Sequence, residues 1–383
     1  MKLRENIAGS LILAILTILV LLPLLTVLIQ VVCPGLSLEE LNLGNLNLVL
    51  DVFVRPLWRR AFINSASMSL CTTIAGLILA GFLAQIRVKY NFPLAKLLDI
   101  VSWILMIMPS FILAQGWVFF ASGNGIARSW LHIEGMNNFL FSFPGLVTVM
   151  VLCKYPMAYV AIKSALEWYP ARLVHAARLN GASPFKAWTS VQLPLCMPAY
   201  FSAAMLIFMD TVGDYGMSST ITAVYSFPTL PYTIYSAICS SPVRFDMAGV
   251  LSLYLVVMIV IAMILQFYMM GRKRFDYLDS GTEQVVPKKV SRSASALLSA
   301  VSGIFSLVAL GIPIGSSFIM SFSNSFSIER FAFTLDNYKN VLQPVGARLE
   351  GIRNSLSLAA VAAVVGLILG FAVAYTLTYS QFK

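Results

Sequence analysis

The sequence contains few charged residues, and their scarcity excludes several classes of protein. Asp, Glu, Lys and Arg make up only 11% of the 383 residues, whereas 59% are hydrophobic and the mean hydropathy is +0.83. Soluble domains carry about twice that share of charge, so this composition predicts an integral membrane protein. The phosphate-binding pattern G-x-x-x-x-G-K-[ST] is absent, which excludes an ATPase of the P-loop class.

Residues that build catalytic and metal sites are equally scarce. His132 and His175 are the only histidines, and no Ser-His-Asp arrangement can be assembled around them. The five cysteines lie far apart, without metal-ligand spacing: Cys33, Cys71, Cys153, Cys196 and Cys239. The sequence therefore predicts no enzyme, no catalytic residue, no metal site and no cofactor.

Long apolar runs dominate what is present. They predict an all-α, polytopic helical bundle of about eight transmembrane helices, since each run is long enough for about 30 Å of hydrocarbon. The predicted spans are 8–33, 61–86, 97–121, 140–165, 195–222, 244–270, 295–321 and 353–379. The first run follows Lys2 and Arg4 but is too long for a signal peptide and lacks a cleavage pattern, so an uncleaved span is favoured.

The distribution of cations orients these spans. With Lys2 and Arg4 inside, the predicted cytoplasmic segments hold 16 Lys/Arg against 6 acids, and the external segments hold 9 against 8. This asymmetry follows the positive-inside rule, so both termini are predicted to be cytoplasmic. The net charge of +10 is thereby explained by the excess of cations that orients the spans in the membrane lipid. It implies no nucleic acid partner.

A repeat divides the chain. The 24 residues from Ile63 and the 24 from Arg353 align without gaps at an offset of 290, with eight identities including Asn-Ser-x-Ser and Gly-Leu-Ile-Leu. We therefore predict four parts: 1–60, a first helix and external loop; 61–270, a first unit of five core helices; 271–293, a cytoplasmic linker; and 294–383, the start of a second unit. The second unit is expected to be truncated after its first core helix.

One polar segment, Pro170–Pro194, interrupts the apolar blocks on the predicted cytoplasmic side. Pro170 opens a short helix that ends near Asn180, and Gly181 supplies the left-handed residue that terminates it. Ser183 caps a second helix whose first residue is Pro184, and Pro194 is expected to stop that helix. The segment is thus predicted to form helix, turn, helix.

Three charges lie far from the ends of their predicted spans. Asp210 and Asp214 are four residues apart and are expected to share one helical face, next to Tyr215. Lys154 is the available partner in another span, and such charges cost at least roughly 2.5 kcal/mol unless paired or hydrated. We expect these four residues either to line a pathway or to form a helix-packing salt bridge. If the fourth span is shifted, Lys154 becomes interfacial.

The segment 170–194 resembles the coupling loop of ABC-importer permeases, which reads Glu-Ala-Ala, three residues, Gly, nine residues, Ile, any residue, Leu-Pro. Ala176, Ala177, Gly181, Leu193 and Pro194 match in register, whereas His175 replaces the Glu and Val191 replaces the Ile. The stretch around Asp210–Gly216 is similar to one in ferric-iron-type permeases. The chain therefore resembles a fused ferric-iron/thiamine-type permease with a truncated second half.

The resemblance implies a type I ABC-importer permease fold in a bacterial inner membrane. It also implies three kinds of protein partner: a cytoplasmic ABC ATPase dimer, a periplasmic substrate-binding protein, and a second permease unit from a longer chain or from a homo- or heterodimer. Arg172, His175, Arg178 and Lys186 would face the ATPase, Ala176, Ala177 and Gly181 would keep the loop compact, and Leu193-Pro194 would join it to the fifth span.

The cargo is open at this point. Ferric iron is favoured because hard carboxylate oxygens suit a hard cation, and thiamine, an organophosphonate or a polyamine are alternatives. A hypothesis of another class is an ion-coupled secondary transporter that uses Lys154, Asp210 and Asp214 as a proton relay. A third is an inactive fragment of a frameshifted fused permease.

Overall fold

A computed structural model describes residues 2–33, 43–222, 226–271, 285–323, 325, 328, 331–343 and 347–379. The described chain is almost entirely helical. Most of the predicted linker, residues 272–284, lies outside the described residues.

The first part of the chain, through the predicted first unit, carries fourteen of the α-helices. They are α1 Lys2–Ile29, α2 Asp51–Val54, α3 Pro56–Lys89, α4 Ala95–Ile107, α5 Ser110–Ala121, α6 Ile126–Ser129, α7 Met136–Leu140, α8 Phe143–Trp168, α9 Ala171–Leu179, α10 Pro184–Ala187, α11 Leu193–Val212, α12 Tyr215–Met217, α13 Leu230–Cys239 and α14 Phe245–Gly271. A 3₁₀ helix, Leu43–Leu50, precedes α2, and π-helical segments Trp188–Gln192 and Ser218–Thr222 follow α10 and α12.

After the linker, the described helices are α15 Arg292–Ser306, α16 Ile312–Ser321, α17 Asp336–Leu342 and α18 Ala347–Tyr379, with a π-helical segment Leu307–Gly311 between α15 and α16. The aligned repeat lies in α3 and α18, each a single long helix.

Six helices among the described residues are long and apolar enough to cross a membrane: Pro56–Lys89, Phe143–Trp168, Pro184–Val212, Phe245–Gly271, Arg292–Ser321 and Leu349–Thr376. A seventh crossing is provided if α4 and α5 are one span. The predicted first span falls on α1, whose Thr17–Ile29 part is a shorter apolar helix. The all-α polytopic prediction is therefore confirmed, with six to seven such spans in the described residues where eight were predicted.

The third predicted span, 97–121, is not one helix. It divides into α4 and α5, which meet at an angle of 108°. Met108 and Pro109 have extended backbone, because a proline at the start of α5 disfavours helical geometry in the residue before it. Pro156, by contrast, lies inside α8 without ending that helix.

Helix α8 lies at the centre of the bundle, where it packs against α3, α4 and α11. It is the most buried of the candidate spans, and small residues on α3, among them Ala80 and Ala84, are fully buried. Small side chains let membrane helices approach closely, which strengthens van der Waals packing where no hydrophobic effect drives association.

The part of the chain after the linker packs against the first unit. Helix α16 lies on α5, and a Cβ atom placed on Gly116 would be 2.1 Å from the carbonyl oxygen of Pro313, so only glycine permits this crossing. Tyr90–Asn91 (β1) and Lys288–Lys289 (β2) form a two-stranded parallel pair, which the sequence did not predict. This pair attaches the end of the linker to the end of α3.

Candidate functional site

Lys154 lies in the middle of α8 with only 6% of its surface exposed. Its ammonium nitrogen is 2.6 Å from Oδ2 of Asp210 and 2.6 Å from Oδ2 of Asp214. The two carboxylates thus offset the cost of burying the ammonium group, and we call Lys154, Asp210 and Asp214 the charge triad. The prediction that Lys154 is the intramembrane partner of both acids matches this geometry.

Asp214 is held from several directions. Its Oδ1 accepts hydrogen bonds from the backbone N–H of Met217 at 2.7 Å and from the hydroxyl of Ser110 at 3.1 Å. The first of these bonds makes Asp214 the N-cap of α12, and the second joins it to the first residue of α5. Ser110 was not predicted as a site residue, although its position directly after Pro109 marks the start of a helix inside a span.

The expectation that Asp210 and Asp214 share one face of a continuous helix is wrong. Helix α11 ends at Val212, Gly213 follows as its C-cap, and Asp214 begins a new short helix. Gly213 ends α11 because glycine is the poorest helix former after proline. Lys154, rather than helical periodicity, brings the two carboxylates together.

A cavity of about 340 Å³ adjoins the charge triad. Ser110 and Tyr215 line it with the triad, and the ring of Tyr215 lies 4.6 Å from that of Tyr235, between centroids. One ammonium and two carboxylates leave a formal excess of one negative charge. Among the described residues no three His, Cys, Asp or Glu side chains are grouped to hold a metal ion. The arrangement is suited to contacting a polar solute transiently.

The polar segment 170–194 forms the expected helical hairpin. Helix α9 ends in a Schellman motif, in which Ala182 N–H donates to Ala177 O at 3.0 Å and Gly181 N–H donates to Arg178 O at 3.1 Å. Gly181 has φ +84°, a left-handed conformation that favours glycine. The hydroxyl of Ser183 then accepts from Lys186 N–H and caps α10.

Pro194 does not stop the second helix as predicted. The chain continues from α10 through the π-helical segment into α11, so that Pro184–Val212 is one span. Pro194 is tolerated because it lies in the first turn of α11, directly after the wider π turn. The hairpin and the fifth span are therefore mechanically continuous.

No residue of α9 is buried, whereas Ala187 of α10 is, so the hairpin lies against the bundle on one side and exposes its turn. Leu179 is 89% exposed and Phe185 is 72% exposed, and both lie beside the turn. Sequence reasoning had selected the cations and small residues of this segment and missed these two. An apolar pair directly flanking Asn180–Pro184 was the available signal.

Only some of the basic residues of the hairpin face the adjacent cleft. His175 and Arg178 line a cleft of about 690 Å³ together with Lys89 and Lys288, whereas Arg172 and Lys186 do not line it. Tyr169 also lines this cleft, and burial raises the pKa of its phenol.

A second charged network was not predicted. Asp99 on α4 accepts hydrogen bonds from Arg87 Nε at 2.7 Å and Tyr159 at 2.8 Å, and Lys163 Nζ lies 2.9 Å away. The network joins α3, α4 and α8 just before α8 leads into the hairpin. Asp99 and Lys163 lie near the cytoplasmic ends of the predicted spans 97–121 and 140–165, and opposite charges at the same depth of neighbouring spans were the available signal.

Comparison with known families gives one match over slightly more than half of the chain. Residues 73–274 match the family described as "Binding-protein-dependent transport system inner membrane component". The matched range includes α8, the hairpin and α11, and therefore the whole charge triad.

Individual relatives are distant. The chain is 27% identical over 191 residues to the molybdenum transport system permease protein ModB of Escherichia coli (strain K12), covering 49% of this chain and 82% of the relative. It is 26% identical over 194 residues to the spermidine/putrescine transport system permease protein PotB of the same organism, covering 48% and 69%.

A solved structure shares the fold. The chain resembles a chain of a bacterial alginate ABC transporter in complex with an alginate pentasaccharide-bound periplasmic protein, with a TM-score of 0.56 and 16% identity. The likeness covers 70% of this chain and 95% of that chain.

Proposed function

Because this chain belongs to the family of inner membrane components of binding-protein-dependent transport systems, we propose that its bundle forms the substrate pathway of an ABC importer and that residues 170–194 couple it to a separate ATPase. It is a multi-pass membrane permease. Cargo would arrive on a periplasmic binding protein, and a cytoplasmic ATPase dimer would grip the hairpin. A second permease unit would complete the pathway, whether from a longer chain or from another subunit.

The hairpin carries this proposal. No residue of its first helix, α9, is buried, and its turn is fixed by the Schellman motif. Its second helix continues into α11 without a break. A rigid element of this kind transmits a displacement instead of absorbing it. Leu179 and Phe185 supply the apolar contact, because exposed apolar side chains rimmed by polar ones mark protein interfaces.

The route from hairpin to pathway is short. Asp210 lies near the end of α11, the helix that begins at the hairpin. Its carboxylate pairs with Lys154, which also pairs with Asp214. Movement of the hairpin along α11 would shift Asp210 relative to Lys154. The charge triad would thus change its geometry as the pathway alternates between its two openings.

Co-purification tests the coupling proposal. We expect the chain, expressed with the ATPase subunit of its own system, to retain that subunit, and Gly181→Asp to release it because Asp strains the left-handed turn and adds a charge. Gly123→Asp is the control, since its Cβ would meet open space and its φ is not left-handed. Equal retention by Gly181→Asp and the control would contradict the proposal.

For the cargo we propose a cation, with ferric iron first. The charge triad has one carboxylate more than it has ammonium groups, and hard carboxylate oxygens suit a hard cation. Polyamines, thiamine and organophosphonates are alternatives, and the names of the two relatives reported above add molybdenum and support polyamines.

Competition uptake tests the cargo. Cells expressing the full system should accumulate radioactive ferric iron, and excess putrescine, thiamine or molybdate should leave uptake unchanged. Asp214→Asn should impair uptake while leaving ATPase retention intact. No accumulation of ferric iron, together with accumulation of labelled putrescine, thiamine or molybdate, would transfer the assignment to that solute and leave the coupling proposal standing.

An ion-coupled transporter is the second candidate, because an ammonium between two carboxylates is also the chemistry of a proton relay. The two functions differ in their energy source. Uptake that persists without any ATPase and collapses with a protonophore would favour the relay. Uptake that requires ATP and is lost on Gly181→Asp would remove it.

A further inference from the structure

The cleft beside the hairpin collects cations. Lys89 from the end of α3, Arg178 from α9 and Lys288 from β2 line it together with His175. None of the described residues that line it is Asp or Glu. Like charges in one cleft repel one another, so a bound anion would stabilise this arrangement.

The backbone holds the cations in place. The pairing of Tyr90 with Lys288 fixes the linker against the end of α3, and Val285 N–H donates to the carbonyl of Glu167 at 3.0 Å. His175 and Arg178 are three residues apart and so share a face of α9. The cleft is therefore assembled from three separate elements.

An apolar groove of about 610 Å³ continues from the cleft along α3. Lys89, Tyr90 and Trp188 line both spaces, so the cleft and the groove are joined. Further along, Ile78 and Phe82 line the groove, and both are more than half exposed. The cationic cleft thus opens directly onto the apolar groove, which follows the membrane-spanning helix α3.

We propose that cleft and groove together bind an anionic phospholipid, with the phosphate headgroup among Lys89, Arg178 and Lys288 and one acyl chain along α3. Basic pockets between membrane helices on the cytoplasmic side are suited to anionic headgroups, and this side is the one with the excess of cations. Tyr90 and Trp188 lie at the join, where aromatic rings favour the interface. The site does not depend on the identity of the cargo. It shares His175 and Arg178 with the hairpin face expected to contact the ATPase, so lipid binding is measured on the chain without the ATPase.

Lipid retention tests the headgroup contacts. The full chain in nanodiscs of phosphatidylcholine is titrated with phosphatidylglycerol, and bound lipid is counted by native mass spectrometry. We expect Lys89→Gln, Arg178→Gln and Lys288→Gln each to weaken binding about fivefold. His175→Glu should also weaken it, because it brings a carboxylate into the cleft.

Lys96→Gln is the matched control. Lys96 is an exposed cation on the same predicted side that lines neither space, so its loss should leave binding within twofold of wild type. Equal weakening by this control would mean that the lipid responds to net charge alone, and would overturn the site.

Chain length tests the groove. Wild type should bind long-chain phosphatidylglycerol at least tenfold more tightly than the dihexanoyl lipid. Ile78→Trp places a large ring in the groove from an exposed position and should abolish that difference while leaving the thermal midpoint of the apo chain unchanged. An unchanged preference would overturn the acyl-chain assignment.

Two other occupants give distinct results. Inorganic phosphate that competes fully with the lipid, with no dependence on chain length, would identify a soluble anion site instead. A mass that doubles as the lipid is lost would identify the groove as an interface with a second copy. Either result replaces the lipid proposal.

Discussion

The buried ammonium group of Lys154 determines whether the carboxylates packed against it are paired. Removing one partner of a buried ion pair leaves an uncompensated charge, which costs more than replacing the whole group by apolar residues. Lys154 has two partners, and the side chain of Asp214 is more buried than that of Lys154 itself. The ammonium group is therefore needed for the fold, apart from its proposed role in the pathway.

We expect Lys154→Met to destabilise the chain by about 3–5 kcal/mol, because it leaves Asp214 buried without a cation. The double variant Lys154→Met with Asp214→Asn should recover part of that loss, since it removes the orphaned charge. Thermal unfolding in detergent measures both, and a double-mutant cycle gives the coupling. Additive losses would show that the two groups do not interact.

Gly181 has a purely conformational role. A Cβ atom there would meet no neighbour within 4 Å, so Gly181→Ala should cost only the left-handed backbone, about 1–2 kcal/mol. We expect cargo-stimulated ATP hydrolysis to fall while membrane insertion is unchanged. Gly123→Ala, also in open space but without positive φ, should have no effect, and a similar loss in both would refute the turn argument.

Residue-level predictions from sequence succeeded where a charge had few possible partners. Lys154 was paired with Asp210 and Asp214 because each was conspicuous within an apolar span. Asp99 was not paired with Arg87 and Lys163, because those cations also counted towards orientation near the ends of spans. The sequence does not distinguish a cation facing the aqueous interface from one turned towards a neighbouring helix.

At the scale of elements, the contact between α5 and α16 depends on the absence of a side chain. Gly116→Ala would place a Cβ atom against the Pro313 carbonyl, so we expect the two helices to separate and the thermal midpoint to fall. Gly315→Ala is the control, because its Cβ would meet nothing within 4 Å. A disulfide between cysteines introduced into α5 and α16 should form in the control and not in Gly116→Ala. Equal cross-linking would contradict the contact.

Element boundaries followed the sequence where caps decided them and departed from it where tertiary packing did. Gly181 and Ser183 terminate and start helices through local hydrogen bonds, and both were predicted. Pro109 allows the break between α4 and α5, but neither the 108° angle of that break nor the π turn before Pro194 has a local sequence signal. The pair β1–β2 joins residues almost two hundred positions apart, and two residues are too few to give a strand pattern.

At the scale of the whole molecule, non-covalent contacts as well as the linker join the part after the linker to the first unit. Helix α16 packs on α5, and β2 pairs with β1. We therefore expect 1–278 and 279–383, co-expressed as separate chains, to purify together, and Gly116→Ala to weaken their association. Fragments that migrate separately would show that the covalent linker alone joins the two parts.

The proposed division into two units remains a prediction, and α18 bears on it. This helix carries the second copy of the repeat, and none of its candidate span is buried. The first copy of the repeat lies in α3, which packs against α8 and α11. The repeat could be found from sequence alone, whereas the partners that would cover α18 could not.

The break between α4 and α5 affects how the proposed pathway could be mapped by mutation. Where two helices end within a span, the last carbonyls of one and the first N–H groups of the next lack intrahelical partners. Met108, Pro109 and Ser110 bring such groups to the wall of the cavity beside Lys154. Contacts made by the main chain survive almost any exchange of side chains. Exchanges at Ser110 would remove its hydrogen bond to Asp214, and exchanges at Pro109 would remove the residue that breaks the span, whereas exchanges at Met108 would leave its carbonyl in place. Selectivity encoded by that carbonyl would therefore escape a mutagenesis screen.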